Sequence, residues 1–182
     1  TIRCEKSVFQ IAGKSSDEFP SLPEIMKKDA LVISQFTLKE LINQTVFSIS
    51  ENESNKIMTG ELFEIKNNVL RVVALDGHRI AIRKVGLKNE FEDKKVIVPG
   101  KALKEISKIL SGETEKEVLI YFTDRHILFE FDGTLVLSRL IDGEYYKIDQ
   151  MITSDYDTKV VVNKKEFLSC IDRATLLIKE TE

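Results

Sequence analysis

Two segments 126 residues apart (163 − 37 = 126) open in the same way. Thr37-Leu38-Lys39-Glu40-Leu41 and Asn163-Lys164-Lys165-Glu166-Phe167 each run from a capping residue through Lys-Glu to an apolar residue. Each follows a short apolar stretch, residues 30–36 in one case and 159–162 in the other. A side chain that accepts from the first free amides, followed by apolar residues at helical spacing, marks a helix start. A repeated strand-then-helix opening points to a domain unit of that length, used more than once. Capping boxes are common, so chance is the competing explanation of two such openings.

The chain between them has the punctuation of an α+β domain. Residues 60–65, 69–75 and 80–85 read as three strands, as do 117–122, 126–131 and 135–141. Residues 66–68 turn the chain in the first set. Asp76-Gly77 and Asp132-Gly133 are favoured tight hairpin turns, because both positions tolerate positive φ. A further strand, 95–98, leads through Pro99 into a helix over 100–110. The first helix, starting at Thr37 with Glu40 completing a capping box, carries Leu38, Leu41, Ile42, Thr45, Val46 and Ile49 at helical spacing and fades near 51–55. A third runs from Asn163 to the end, with Phe167, Ile171, Ala174 and Ile178 as its apolar stripe. Residues 1–12 alternate as two short strands about a turn at 5–7; 13–29 and 142–157 read as irregular. The apolar stretch at 159–162 reads as a strand.

Composition narrows the function classes. A formal net charge of −3 excludes a protein that holds nucleic acid by bulk positive charge, though not one with a basic face on an acidic body. Two cysteines, Cys4 and Cys170, exclude a disulfide framework and a four-cysteine zinc site, and fit a reducing compartment. No apolar run approaches the ~20 residues of a membrane-spanning helix. The chain starts at Thr1 in strand-like sequence, which reads as a piece of a longer protein.

Catalytic and metal-binding patterns are missing. There is no Gly-rich phosphate loop, no His-Glu-x-x-His pattern and no Gly-x-Ser-x-Gly elbow, and His78 and His126 lie far apart in sequence. The sequence therefore predicts no catalytic residue, no metal ligand and no cofactor. Two features remain. Residues 74–81, Ala-Leu-Asp-Gly-His-Arg-Ile-Ala, read first as a plain hairpin with a polar tip, and second as a rigid turn presenting His78 and Arg79 beside an apolar strand end. The second reading suits a peptide partner with apolar anchors and a polar group. Lys101, Lys104 and Lys108 form a stripe at i, i+3 and i+7 of the second helix. It is either a solvated face or a surface that attracts phosphates without reading bases, and Glu105 interrupts it.

These residues carry a resemblance. Leu75-Asp76-Gly77-His78-Arg79-Ile80-Ala81 resembles the Thr-Asp-Gly-His-Arg-Leu-Ala signature of bacterial sliding clamps, the beta subunits of DNA polymerase III. In the same order, Phe19-Pro20-Ser21-Leu22-Pro23 resembles that family's link between its first two domains. Gly60-Glu61-Leu62-Phe63-Glu64 resembles the strand after the first helix, and Val96-Ile97-Val98-Pro99-Gly100-Lys101 the entry to the second. Leu140-Ile141-Asp142-Gly143-Glu144-Tyr145 resembles a stretch near the second domain's end.

The resemblance implies a DNA-clamp fold of repeated domains, with helices packed on one face of antiparallel sheets. It places the end of a first domain and a linker in 1–28, a complete second domain in 29–157 and the start of a third in 158–182. It implies a non-catalytic, cytoplasmic processivity factor: a head-to-tail homodimeric ring around duplex DNA that tethers the replicative polymerase and meets the clamp loader, with no membrane role. So short a chain is not expected to close that ring. Partner peptides, often Gln-Leu-x-Leu-Phe-like, would use Met58, Leu75, Gly77, His78, Arg79 and Ile80, with Tyr146, Gln150 and Met151 as the other lip. The DNA-facing candidates are Lys39, Asn52, Lys56, Lys101, Lys104 and Lys108, followed by Lys164, Lys165 and Arg173. Leu75 stands where the family often has Thr, Gln150 where a basic residue often sits, and Tyr146-Lys147 lacks the usual Pro. The alternative function is a stand-alone protein-docking domain with no DNA role.

Overall fold

The computed structural model of the chain describes residues 1–18, 25, 27–152 and 155–176. These fall into two units, one ending at Tyr145 and one beginning at Tyr146. The Phe19–Pro23 stretch and Ile178, singled out above, lie outside the described residues.

The first unit opens with a hairpin of β1 (Ile2–Cys4) and β2 (Ser7–Phe9), turned at Glu5 with φ 50°. After it come β3 (Leu31–Ser34) and α1 (Gln35–Asn43). The meander β4 (Gly60–Lys66), β5 (Val69–Leu75) and β6 (Ile80–Gly86) follows. The same order then recurs: β7 (Lys94–Pro99), α2 (Gly100–Ile109), and the meander β8 (Glu117–Phe122), β9 (His126–Phe131) and β10 (Thr134–Arg139).

Sheet pairing crosses these halves. The order in one four-stranded antiparallel sheet is β10-β9-β8-β3, and in the other β6-β5-β4-β7. Each strand that leads into a helix therefore joins the meander of the other half: Leu31 pairs with Ile120, and Leu62 with Ile97. β7 lies at a sheet edge, where the missing amide of Pro99 costs no ladder bond. The turn expected at 66–68 is a two-residue hairpin turn at Asn67-Asn68 (φ 49° and 58°), and Asp132-Gly133 (φ 46° and 73°) is the expected tight hairpin turn.

One core serves both halves. Leu38, Leu41 and Ile42 of α1 and Leu103 and Ile106 of α2 meet Phe63, Val72, Ile120 and Phe129 from the two sheets. Burial on this scale contributes about 1.5–3 kcal/mol per large aliphatic or aromatic side chain. Gln35, fully buried, knits three segments: its Oε1 accepts from Ser111 N (2.9 Å), and its Nε2 donates to Glu117 O (3.3 Å) and Asp132 Oδ2 (3.2 Å).

The helix start at 37 requires correction. The N-cap is Ser34, whose Oγ accepts from Thr37 N at 3.1 Å; Thr37 sits inside the helix with its hydroxyl 2.8 Å from Ser34 Oγ. Aligning caps with Asn163, which accepts from Lys165 N and Glu166 N, moves the repeat to 163 − 34 = 129 residues. The first helix is also shorter than expected. It ends at Asn43, and a 3-10 turn, Val46–Ser48, carries the later apolar residues.

The segment around 142–145 is held by specific contacts. Tyr145, buried, donates from its hydroxyl toward Val73 O (3.3 Å) and Gly60 O (3.5 Å). Gly143 takes φ 133°, a backbone angle that favours glycine, and packs closely against the end of the Ile57 side chain.

The second unit contains a one-turn helix, α3 (Ile148–Met151), within the stretch read as irregular, and α4 (Lys164–Thr175). The expected strand at 159–162 is not formed: these residues are exposed and belong to no sheet. A strand needs a neighbour for its backbone groups, and no unpaired strand is described in this unit.

Candidate functional site

The loop between β5 and β6 is built around Asp76. Its Oδ1 accepts from the backbone amides of His78 (3.0 Å) and Arg79 (3.1 Å), and its Oδ2 accepts from Arg79 Nε at 2.8 Å. Asp76 N donates to Arg79 O at 3.3 Å, which closes a four-residue connection, not the two-residue turn expected from Asp-Gly. Only Gly77, at φ 91°, takes a left-handed angle here, a conformation that most residues avoid. Donation from the His78 amide, then from Arg79, holds the Asp76 carboxyl below its ordinary value of 3.8.

Gly77, His78 and Arg79 are exposed, and Ile80 and Met58 are half-buried. Leu75 is not available as a groove wall: at 1% exposure it supports the loop from inside the core. The guanidinium of Arg79 stands 5.9 Å from the ring centre of Phe47, an exposed residue that sequence reasoning missed. An aromatic ring on a 3-10 turn just after a helix has no periodic signal of its own. Tyr146, Gln150 and Met151, the remaining docking candidates, belong to the second unit, where Gln150 and Met151 are exposed.

The lysine stripe is on the surface of α2, opposite Leu103 and Ile106. Its members differ. Lys101 is paired with Glu53 at 2.8 Å and Lys108 with Glu105 at 2.7 Å, while Lys104 is half-buried and makes no ion pair among the described residues. Hydrogen bonding and the charge of Glu53 raise Lys101 above 10.5, and Lys101 lowers Glu53 below 4.5. Lys39 is half-buried, and its ammonium donates to Leu110 O (2.8 Å) at the end of α2, where a cation complements the helix dipole. Asn52 and Lys56 are exposed on the loop before β4. Lys164, Lys165 and Arg173 lie exposed on α4 in the second unit.

Among the described residues no cluster of His, Cys, Asp or Glu could hold a metal ion, and no helix is long and apolar enough to cross a membrane. Both cysteines are free.

Residues 32–147 match the family described as DNA polymerase III beta subunit, central domain. The chain is 42% identical over 180 residues to the beta sliding clamp of Bacillus subtilis, covering 98% of this chain and 47% of that protein. It is 38% identical over 174 residues to that of Staphylococcus epidermidis, covering 96% and 46%. It superimposes on a DNA polymerase III beta subunit structure from Eubacterium rectale with TM-score 0.92 at 60% identity, covering 99% of this chain and 49% of that one. For the Bacillus subtilis sliding clamp the values are 0.88, 40%, 93% and 44%. The chain thus spans about half the length of the relatives it matches. A cross-paired α+β fold, the Asp76–Arg79 loop and this similarity agree: the chain belongs to the DNA polymerase III beta subunit, or sliding-clamp, family and contains its central domain.

Proposed function

We propose that this chain is the middle portion of a sliding clamp that encircles duplex DNA and tethers the replicative polymerase for processive synthesis. The observation that carries it is a family match extending over nearly the whole chain, joined to a helix face bearing Lys101, Lys104 and Lys108 on an otherwise net-acidic chain. A basic patch on an acidic body attracts phosphates locally and discourages adhesion elsewhere. The reading assigns no catalytic step and no cofactor to these residues. It places the protein in the cytoplasm as a head-to-tail homodimer and divides this chain at about residues 28 and 157 into parts of three clamp domains.

Docking of the polymerase and the clamp loader is assigned to the loop at 76–79. There Asp76 pre-orders Arg79 beside an apolar strand end, with Met58 and Ile80 partly exposed. A preordered guanidinium directs a peptide's polar group while neighbouring apolar surface takes its anchors. Tyr146, Gln150 and Met151 enter this assignment by resemblance.

The test of encirclement is topological. The whole-length protein, loaded on a closed circular duplex, is retained there and lost when the circle is cut. Equal residence on circular and linear DNA overturns the reading. Docking is tested by titrating a Gln-Leu-x-Leu-Phe peptide against the same protein with Arg79→Ala and His78→Ala. Peptide docking without topological retention favours the stand-alone docking domain.

A further inference from the structure

Beside the N-terminal end of α2 lies a hollow of about 480 Å³, partly walled by Ile49 and ringed by three ammonium groups, Lys56, Lys101 and Lys104, and two carboxylates, Glu51 and Glu53. The Lys101–Glu53 ion pair, both of whose members are in this lining, closes at 2.8 Å. It joins residues 48 apart in sequence, so it ties the loop at 52–56 to the helix. The pair Lys108–Glu105 is different: both belong to α2, three residues apart, and their contact fixes no second segment.

The position of Lys101 makes an anion there more than incidental. It stands in the first turn of α2, where the helix dipole already favours negative charge, and neither an acidic residue in that turn nor a capping side chain from Pro99 supplies one. Glu53 provides it from outside the helix. A carboxylate and a phosphate diester are alternative anionic acceptors for the same ammonium. Both members of the pair are highly exposed, at 89% and 75%, so exchange of one anion for the other exposes no buried charge.

We infer that Glu53 is a built-in stand-in for a DNA phosphate, holding Lys101 in the free chain and giving up that place to a backbone phosphate when duplex arrives. The inference rests on the DNA-facing reading of α2. The loop at 52–56 then changes partner on contact with DNA. Lys101 adds little net attraction at a distance, because its charge is already matched, and the charge of Lys56 also acts on Glu53; Lys104, which makes no ion pair among the described residues, supplies more of the attraction. A surface built this way grips a passing duplex weakly, since each phosphate that gains Lys101 must displace a carboxylate.

The test is the affinity of this 182-residue chain for a fluorescent duplex of arbitrary sequence, measured by anisotropy at low ionic strength, where surface charge is least screened. Glu53→Gln tightens binding by about threefold, the scale of an exposed ion pair. In a Lys101→Gln background the same substitution gains less, because the displaced contact no longer exists and only the general loss of a negative charge, which Lys56 also feels, remains. If the gain from Glu53→Gln is absent, or is the same with and without Lys101, the inference is overturned while the DNA-facing reading stands. If Lys101→Gln, Lys104→Gln and Lys108→Gln all leave binding unchanged, the DNA-facing reading itself fails and the inference with it.

Discussion

The hydroxyl of Thr45 donates to the carboxyl of Glu61 at 2.9 Å, and both residues are completely buried. The same hydroxyl lies 2.7 Å from Leu41 O, while Oε1 of Glu61 has no hydrogen-bond partner among the described residues. Burial pushes the Glu61 carboxyl up from 4.5 to about 8, against the smaller opposing effect of the Thr45 hydrogen bond. The folded value lies above the unfolded one, so this group's contribution to stability is full below about 4.5. It declines as pH rises towards 8. Urea midpoints measured across that window should fall with pH, and Glu61→Gln should flatten the decline, with its largest stabilising effect at pH 8. A decline that Glu61→Gln leaves unaltered would assign the pH dependence elsewhere.

Gln35 is the polar rivet of the first unit, with three partners in three segments. Gln35→Ala leaves Ser111 N and Glu117 O without it and should cost about 1–3 kcal/mol in chemical denaturation. Gln35→Glu should cost more, because it sets a second carboxylate against Asp132. A loss well under ~0.5 kcal/mol for Gln35→Ala would mean that water replaces the amide freely.

Asp76 organises the loop at 76–79 best when ionised. Its carboxyl is held below 3.8, so the amide contacts to His78 and Arg79 are present above that value and are lost as pH falls through the lowered one. Amide resonances of His78 and Arg79 should titrate together there. Asp76→Ala should place both at their low-pH positions at neutral pH. Independent behaviour of the two amides would contradict a shared carboxylate.

Lys39 separates structure from ligand contact. Lys39→Met removes the donor to Leu110 O and should lower stability by about 0.5–1.5 kcal/mol. Its effect on duplex affinity should be smaller than that of Lys104→Gln. The reverse ranking would return Lys39 to the DNA-facing set.

The meanders were legible because their turns are local. Asn67-Asn68 and Asp132-Gly133 mark their own positions, and the strands between them follow. The first helix was legible in its apolar face, but its start was not. Ser34 and Thr37 are both capping types three residues apart, and Leu38, Leu41 and Ile42 fit either choice. Partner choice among strands was out of reach, since nothing local in Leu31–Ser34 or Lys94–Pro99 says which meander each joins. Val160–Val162 has the composition of a strand, yet composition supplies no neighbour. At the candidate site, the sequence located the loop at 76–79 but not its chemistry. In the sequence Asp76 looks like a turn former; in the structure it is the acceptor that holds His78 and Arg79. Glu61 is one of 30 acidic residues, and burial of a carboxylate leaves no mark in the one-dimensional string.

The crossed pairing of β3 with β8 and of β7 with β4 has a kinetic consequence. Leu31 must find Ile120, 89 residues away, before its sheet is complete, while the other sheet closes through Leu62 and Ile97, 35 residues apart. Loop-closure entropy is spent before such contacts return anything, which slows folding and makes it all-or-none. A ribosome that has released only the first meander has released a sheet lacking its fourth strand and a helix lacking its partner. Neither half of the central domain is a folding unit, and a nick in the connection at 87–93 would leave two pieces that acquire structure only by finding each other.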